Sequence, residues 1–147
     1  MVHAVDIRLI WDEIKTGISE VQDSMPWIDW RPEDIYAACI NGEAAVFIQD
    51  DADPGDSFFI SKINTCSRTG ERTFFIWIAW SPTKPGAPLV NDWMTKVAIE
   101  NGCSGIEFIT GNEKLVRYAN KFGYTKVMYE VRKELIPETA KIPAQES

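Results

Sequence analysis

The chain has 147 residues, 45% of them apolar, which suits one compact domain with its own core and excludes a disulfide-stapled miniprotein. Its 15 Lys and Arg against 22 Asp and Glu give a formal charge of -7, which argues against a nucleic-acid partner and favours a cationic one such as an amine. Cys39, Cys66 and Cys103 are odd in number and widely spaced, the opening MVHAVDIRLIW carries no targeting pattern, and no stretch reaches the roughly 18 apolar residues of a membrane span, so a cytoplasmic protein without a metal site or membrane contact is expected.

Residues 4–10 alternate Val5, Ile7 and Leu9 with Asp6 and Arg8, the period-two pattern of a half-buried strand. Over 11–25, Trp11, Ile14, Ile18 and Val21 recur at three- and four-residue steps before Pro26, which predicts an amphipathic helix that Gly17 weakens slightly. Pro32 at a helix start, Glu33 and Asp34 in the first turn and Gly42 at the end predict a second, short helix. Runs at 44–49, 57–64 and 72–80 are rich in Val, Ile, Phe and Trp and are separated by turn sequences, which predicts an antiparallel meander. The run from Phe74 to Trp80 is apolar at every position and predicts the central strand.

A proline-rich loop at 81–88 leads into a helical stripe of Leu89, Val90, Trp93, Val97 and Ala98 that ends at Asn101 and Gly102. A strand at 105–110, a helix at 112–122 closed by Gly123 and an alternating strand at 124–133 follow. Residues 1–135 are expected to form one α/β domain, a single mixed, mostly antiparallel central sheet with helices on both faces. Residues 136–147, with two prolines and little periodicity, are expected to be a loose tail.

This order, together with the segment at 111–124, resembles the GNAT superfamily of acetyl-CoA-dependent N-acyltransferases, over about residues 5–131. That family's last helix has Asn, then Ala three residues on, Tyr seven on and Gly-Phe eleven and twelve on; Asn112, Gly123 and Tyr124 keep the spacing, whereas Ala119 stands in the tyrosine place. In the loop after the central strand the family places Arg or Gln, two residues, Gly, one residue, and Gly or Ala, where backbone N–H groups and a helix start cradle a pyrophosphate. Here the loop reads Thr83, Lys84, Pro85, Gly86, Ala87, Pro88: Gly86 matches, Lys84 offers a positive charge, and each proline lacks an N–H. In size and in this degenerate loop the chain looks like the small GNAT-like proteins of tailed bacteriophages.

The resemblance implies acetyl-CoA as cofactor, bound by the backbone of Ile78, Ala79 and Trp80 and by Lys84, Gly86, Ala87 and Asn112, and an amine of a small molecule or protein as acceptor. Acetyl transfer needs a neutral amine, donors for the thioester carbonyl oxygen and an acid for the thiolate. Tyr118, beside the missing tyrosine, is the candidate acid or else a packing residue, since one helical step turns a side chain by about 100°. Glu107 and Glu33 are candidate bases, with Asp29 a third; Glu33 alternatively only complements the helix dipole, and Glu107 is alternatively a solvated strand residue. Trp27, Trp30 and Trp80 are candidates to wall an amine pocket, where an ammonium on an aromatic face gains about 0.5–2 kcal/mol, with core packing the alternative role expected of at least one of them. The sole histidine, His3, is expected to face solvent. Three readings stay open: an active acetyltransferase, a binding or virion-associated module of the same shape, and an unrelated α/β interaction domain. A homodimer is a further expectation.

Overall fold

The computed structural model describes residues 2–25, 28–50, 53–81, 92–110, 113–133 and 135–136. Strand β1 is Val2–Val5, followed by helices α1, Ile7–Ser24, and α2, Pro32–Ile40. Strands β2, Ala45–Gln49, β3, Phe58–Thr65, and β4, Arg72–Trp80, come next, then α3, Asp92–Glu100, β5, Gly105–Phe108, and α4, Glu113–Asn120. The five strands make one mixed sheet in the order β1-β2-β3-β4-β5. Neighbours pair antiparallel except β4 and β5, which run parallel.

Helix α1 starts earlier than the alternation at 4–10 predicts. Asp6 caps it, its Oδ1 accepting from the Arg8 N–H at 3.0 Å, and the stripe of Ile7, Ile10, Ile14, Gly17 and Ile18 runs along the buried face. Helical periodicity therefore extends back to Ile7, and Leu9, which completed the apparent strand pattern, is 76% exposed. Helix α2 begins as expected at Pro32 and is fixed by Asp34, whose Oδ2 accepts from the Arg31 N–H at 2.8 Å; Gly42, at φ 78°, ends the turn after it.

Two cores lie on opposite faces of the sheet. On one, α1 and α2 pack Ile14, Ile18 and Ile35 onto Val46, Ile48, Phe58, Ile60 and Ile78. On the other, Met94, Val97 and Ala98 of α3 meet Phe59, Phe74 and Ile76, with Leu115 of α4 at the margin. Each fully buried side chain of this size contributes about 1.5–3 kcal/mol, so the two layers together fix which way the sheet faces.

The expected strand at 124–133 is not formed. After Gly123, at φ 94°, the half-buried Tyr124 sets its ring edge-on to Phe108 at 5.2 Å, and the following residues are exposed and join no ladder. Alternation supplies a face to bury, but it makes a strand only where a neighbouring strand offers its edge. The expected tail at 136–147 lies outside the described residues except for Ile136, which is exposed.

Candidate active site

The centre of the sheet carries an irregularity. Phe58, Phe59 and Ile60 of β3 pair with Trp80, Ala79 and Ile78 of β4, but Ser61 then pairs with Ile76, so Trp77 is an extra residue in β4. This is a β-bulge, and it reverses the parity of the strand. Phe74 and Ile76 face α3, whereas Trp77 and Ile78 in succession, and then Trp80, pack toward α1 and α2. The Lys62 ammonium sits 4.4 Å from the centre of the Trp77 ring and 5.5 Å from that of Phe75, covering the bulged indole with a cation–π contact.

Beyond the bulge β4 loses its other neighbour. Its parallel ladder with β5 runs from Thr73 opposite Gly105 to Ile76 opposite Phe108 and stops there, while β4 continues through Trp77, Ile78, Ala79 and Trp80. Past Phe108, that stretch of β4 has no partner strand on this side among the described residues. A strand edge without a partner strand presents N–H and C=O groups that a ligand can pair with.

Trp80, at the end of this open edge, is held from three sides. Its ring stacks on Phe58 at 5.7 Å, lies against Gly17 of α1, and its Nε1 donates to Glu20 Oε2 at 3.0 Å. A Cβ on residue 17 would stand 2.9 Å from Trp80 Cδ2, so glycine here is what lets the indole reach the helix backbone. One turn on, Glu20 is exposed and brings a carboxylate to the end of β4. Sequence reasoning missed Glu20, although an inward glycine in an amphipathic helix was a readable signal that a bulky ring approaches there.

Of the expected cofactor contacts, Ile78, Ala79 and Trp80 form the open edge. Lys84, Gly86, Ala87 and Asn112 lie outside the described residues, as does Trp27. Trp30 is half-buried in the α1–α2 core, and its carbonyl accepts from Gln22 Nε2 at 2.7 Å. Glu107, on β5 opposite Phe75, is exposed and accepts weakly from Asn64 Nδ2 at 3.4 Å. Glu33 is an exposed first-turn charge of α2 beside the capping Asp34, and Asp29 is exposed ahead of that helix. Tyr118 is 43% exposed with its ring against Phe122 at 5.1 Å, while its neighbour Ala119 is the inward residue of α4, 1% exposed. Nothing on the described residues brings Glu33, Glu107 and Tyr118 into mutual contact.

The remaining reactive groups are elsewhere. His3 Nδ1 pairs with Asp50 Oδ1 at 2.6 Å on the surface. Burial pushes the Cys39 thiol up to about 11 and the Tyr124 phenol up to about 12, so both stay protonated at neutral pH. Among the described residues, no group of three or more His, Cys, Asp or Glu could hold a metal, and no helix is long and apolar enough to cross a membrane. A groove of about 570 Å³ opens elsewhere, beside Glu43, Ser61 and Arg72, and none of Trp77 to Trp80 lines it.

Solved structures share this architecture over nearly their whole length. An acetyltransferase from Trypanosoma brucei superposes with a TM-score of 0.64 at 13% identity, covering 92% of this chain and 99% of that one. A ribosomal-protein-alanine N-acetyltransferase from Brucella melitensis biovar Abortus 2308 gives 0.63 at 12% identity, with 90% and 99% covered. An aminoglycoside acetyltransferase from an uncultured soil metagenomic sample, in complex with sisomicin, gives 0.64 at 8% identity, with 94% and 96% covered.

The chain has the GNAT acyltransferase fold. No family model and no curated protein matches the sequence itself. The GNAT fold here thus rests on topology, and the bulge and ladder end of β4 are the irregular features at its centre. An unpaired strand of alternating donors and acceptors is able to pair with an extended ligand that carries amides, as the pantetheine part of acetyl-CoA does.

Proposed function

We propose that this protein transfers an acetyl group from acetyl-CoA to an amine. The observation that carries the reading is the end of the β4–β5 ladder at Ile76 and Phe108, immediately before the bulge, which leaves Ile78, Ala79 and Trp80 without a partner strand on that side among the described residues. Acetyl-CoA, when bound, supplies an acetyl thioester as acyl donor. The backbone of Ile78 to Trp80 would pair with its amides and donate to its carbonyl oxygen, and Lys84, Gly86, Ala87 and Asn112 would hold its phosphate end.

The acceptor amine must be neutral to attack. Glu20, anchored by Trp80 at the end of the open edge, is the carboxylate we assign to taking the ammonium proton, and the negative formal charge of -7 draws a cationic acceptor toward it. Glu107 and Glu33 are the alternative bases and Tyr118 the alternative acid. The amine nitrogen would then bond to the acetyl carbon as the carbon–sulfur bond breaks, its surplus proton passing to the departing sulfur or to solvent. The thiolate leaves without help from position 119, a tolerable loss because general acid assistance contributes about 10²–10⁴ in rate.

A second reading has its own observation: alanine occupies the buried inward position of α4, so the fold binds acetyl-CoA without turnover. In either case a cytoplasmic location is part of the proposal, and the phage-like origin remains tied to the degenerate loop. Calorimetry with acetyl-CoA, followed by thiol release with a panel of polyamines, aminoglycosides and peptide N-termini, separates the readings. Binding with turnover supports transfer. Binding without turnover supports the second reading, and absence of binding at about millimolar acetyl-CoA, where only some 4 kcal/mol is required, overturns both.

A further inference from the structure

The groove beside Glu43, Ser61 and Arg72 lies at the end of the sheet away from Trp80. Phe47, Ile63 and Phe74, from three adjacent strands, line it and belong to the core on the α3 face. Between them β2 and β3 set two small residues opposite each other, Ala45 against Ser61, and this pair among phenylalanines makes the hollow. Ser61 is the one polar side chain among the fully buried described residues, 3% exposed, and its hydroxyl bonds to none of the others. A hydroxyl taken from water without a partner is unfavourable, and no described polar atom is sealed away in that state, so this hydroxyl opens into the groove that Ser61 lines. At the rim Arg72 is exposed, forms no ion pair with a described carboxylate, and keeps its guanidinium near the end of α3, where a Cβ on Gly102 would stand 4.0 Å from its Nη1.

We propose that this groove binds a small aromatic carboxylate with a hydroxyl at its far end. The ring lies on Phe47 and Phe74, the carboxylate pairs with the Arg72 guanidinium, and the hydroxyl bonds to Ser61. Phenylalanine faces and edges suit a further ring, and the arginine fork matches a carboxylate with two parallel hydrogen bonds. Ser61 pairs with Ile76, four residues along β4 from Arg72, so their Cα atoms stand roughly 13 Å apart. The arginine side chain and a ligand of one ring with a short chain together fill that span. The volume of about 570 Å³ suits such a molecule with some water, since ligand pockets run from about 300 to 1,000 Å³. The charges set its direction: Glu43 precedes β2 and Arg72 begins β4, on opposite sides of β3, so the anionic end turns toward Arg72. Glu43 and the formal charge of -7 also oppose a doubly charged phosphate ester, which leaves a monoanion as the better ligand.

The test is an amide NMR titration with 3-(4-hydroxyphenyl)propionate and with 3-phenylpropionate, which lacks the hydroxyl. The first probe shifts the signals of Ala45, Ser61, Ile63 and Phe74, leaves those of Ile78 to Trp80 in place, and saturates with a Kd of about 1 mM or below. Arg72→Gln weakens both probes about tenfold, because a charge-assisted pair is lost. Ser61→Ala weakens the hydroxylated probe at least about threefold and leaves the other as in wild type, since a single neutral hydrogen bond is removed. Arg72 is exposed and Ser61→Ala removes one oxygen, so both variants fold, which unchanged far-ultraviolet circular dichroism verifies. No shifts at about 10 mM probe, shifts confined to residues away from the groove, an Arg72→Gln variant that binds as tightly as wild type, or a Ser61→Ala variant that weakens both probes alike would each overturn the proposal. The titration contains no acetyl-CoA, so its outcome is independent of acetyl transfer.

Discussion

A methyl group on residue 17 would lie 2.9 Å from Trp80 Cδ2 and 3.0 Å from Phe58 Cε1, inside any normal contact distance. Alanine in a helix interior gains about 0.8–1 kcal/mol over glycine, but forcing apart a stacked pair in a closed core costs about 1–3 kcal/mol. Neither ring yields easily, since Phe58 is buried and Trp80 is tied to Glu20. Gly17→Ala is therefore expected to destabilise by about 1 kcal/mol net, seen as a lower urea midpoint, with an altered near-ultraviolet signal from Trp80. An unchanged midpoint and spectrum would mean that the ring approach is not tight. For Glu20 the expected effect is on rate instead. Glu20→Gln retains an oxygen to accept from Trp80 but loses the charge, so kcat should fall at least about 10²-fold with stability unchanged, whereas Glu107→Gln should leave kcat near wild type. The reverse pattern in steady-state kinetics would move the base to Glu107.

Helix α1 depends on its cap as well as on its apolar stripe. Asp6 accepts from the Arg8 N–H and pairs with its guanidinium, and these contacts hold the Asp6 carboxyl below its ordinary value of 3.8. A carboxyl with a depressed folded value contributes stability that is fully present above its unfolded value and is lost as pH falls through the folded one. Asp6→Ala should accordingly lower the melting temperature by a few degrees at pH 7, and the gap from wild type should close as pH falls from the ordinary carboxylate range through the lowered value and the wild-type carboxyl takes up its proton. A gap independent of pH would assign the effect to something other than the charged cap. The same cap explains why residues 4–10 read as a strand in the sequence: Val5, Ile7 and Leu9 alternate, and only the helical stripe continuing through Ile10 and Ile14 shows which period governs. Most other elements were legible because their pattern and their turn residues agreed, as at Pro32 and Gly42. The bulge was not, because the run from Phe74 to Trp80 is apolar on both faces and hides a change of parity. Glu20 was hidden for a related reason: a carboxylate on an amphipathic helix looks like a solvated charge until the fold brings Trp80, 60 residues away, to meet it.

At the scale of the molecule, the open edge of β4, the loop after it and the start of α4 would all be engaged by one long ligand, so binding should register as global stability. A ligand that binds only the native state at a hundred times its dissociation constant stabilises by about 2.7 kcal/mol. For a chain of this size each kcal/mol moves the melting temperature by about 2–4 °C, which predicts a rise of roughly 5–10 °C with saturating acetyl-CoA. The partition of that rise is informative. Free pantetheine, which on the proposed reading would engage the open edge at Ile78 to Trp80 without the phosphate end, should give a small part of it. Lys84→Ala should reduce the shift caused by acetyl-CoA and leave the shift caused by pantetheine unchanged, since only the former carries phosphates for Lys84 to meet. Equal shifts for wild type and Lys84→Ala with acetyl-CoA would remove Lys84 from the cradle. A shift with neither ligand would leave the open edge of β4 without the occupant proposed for it.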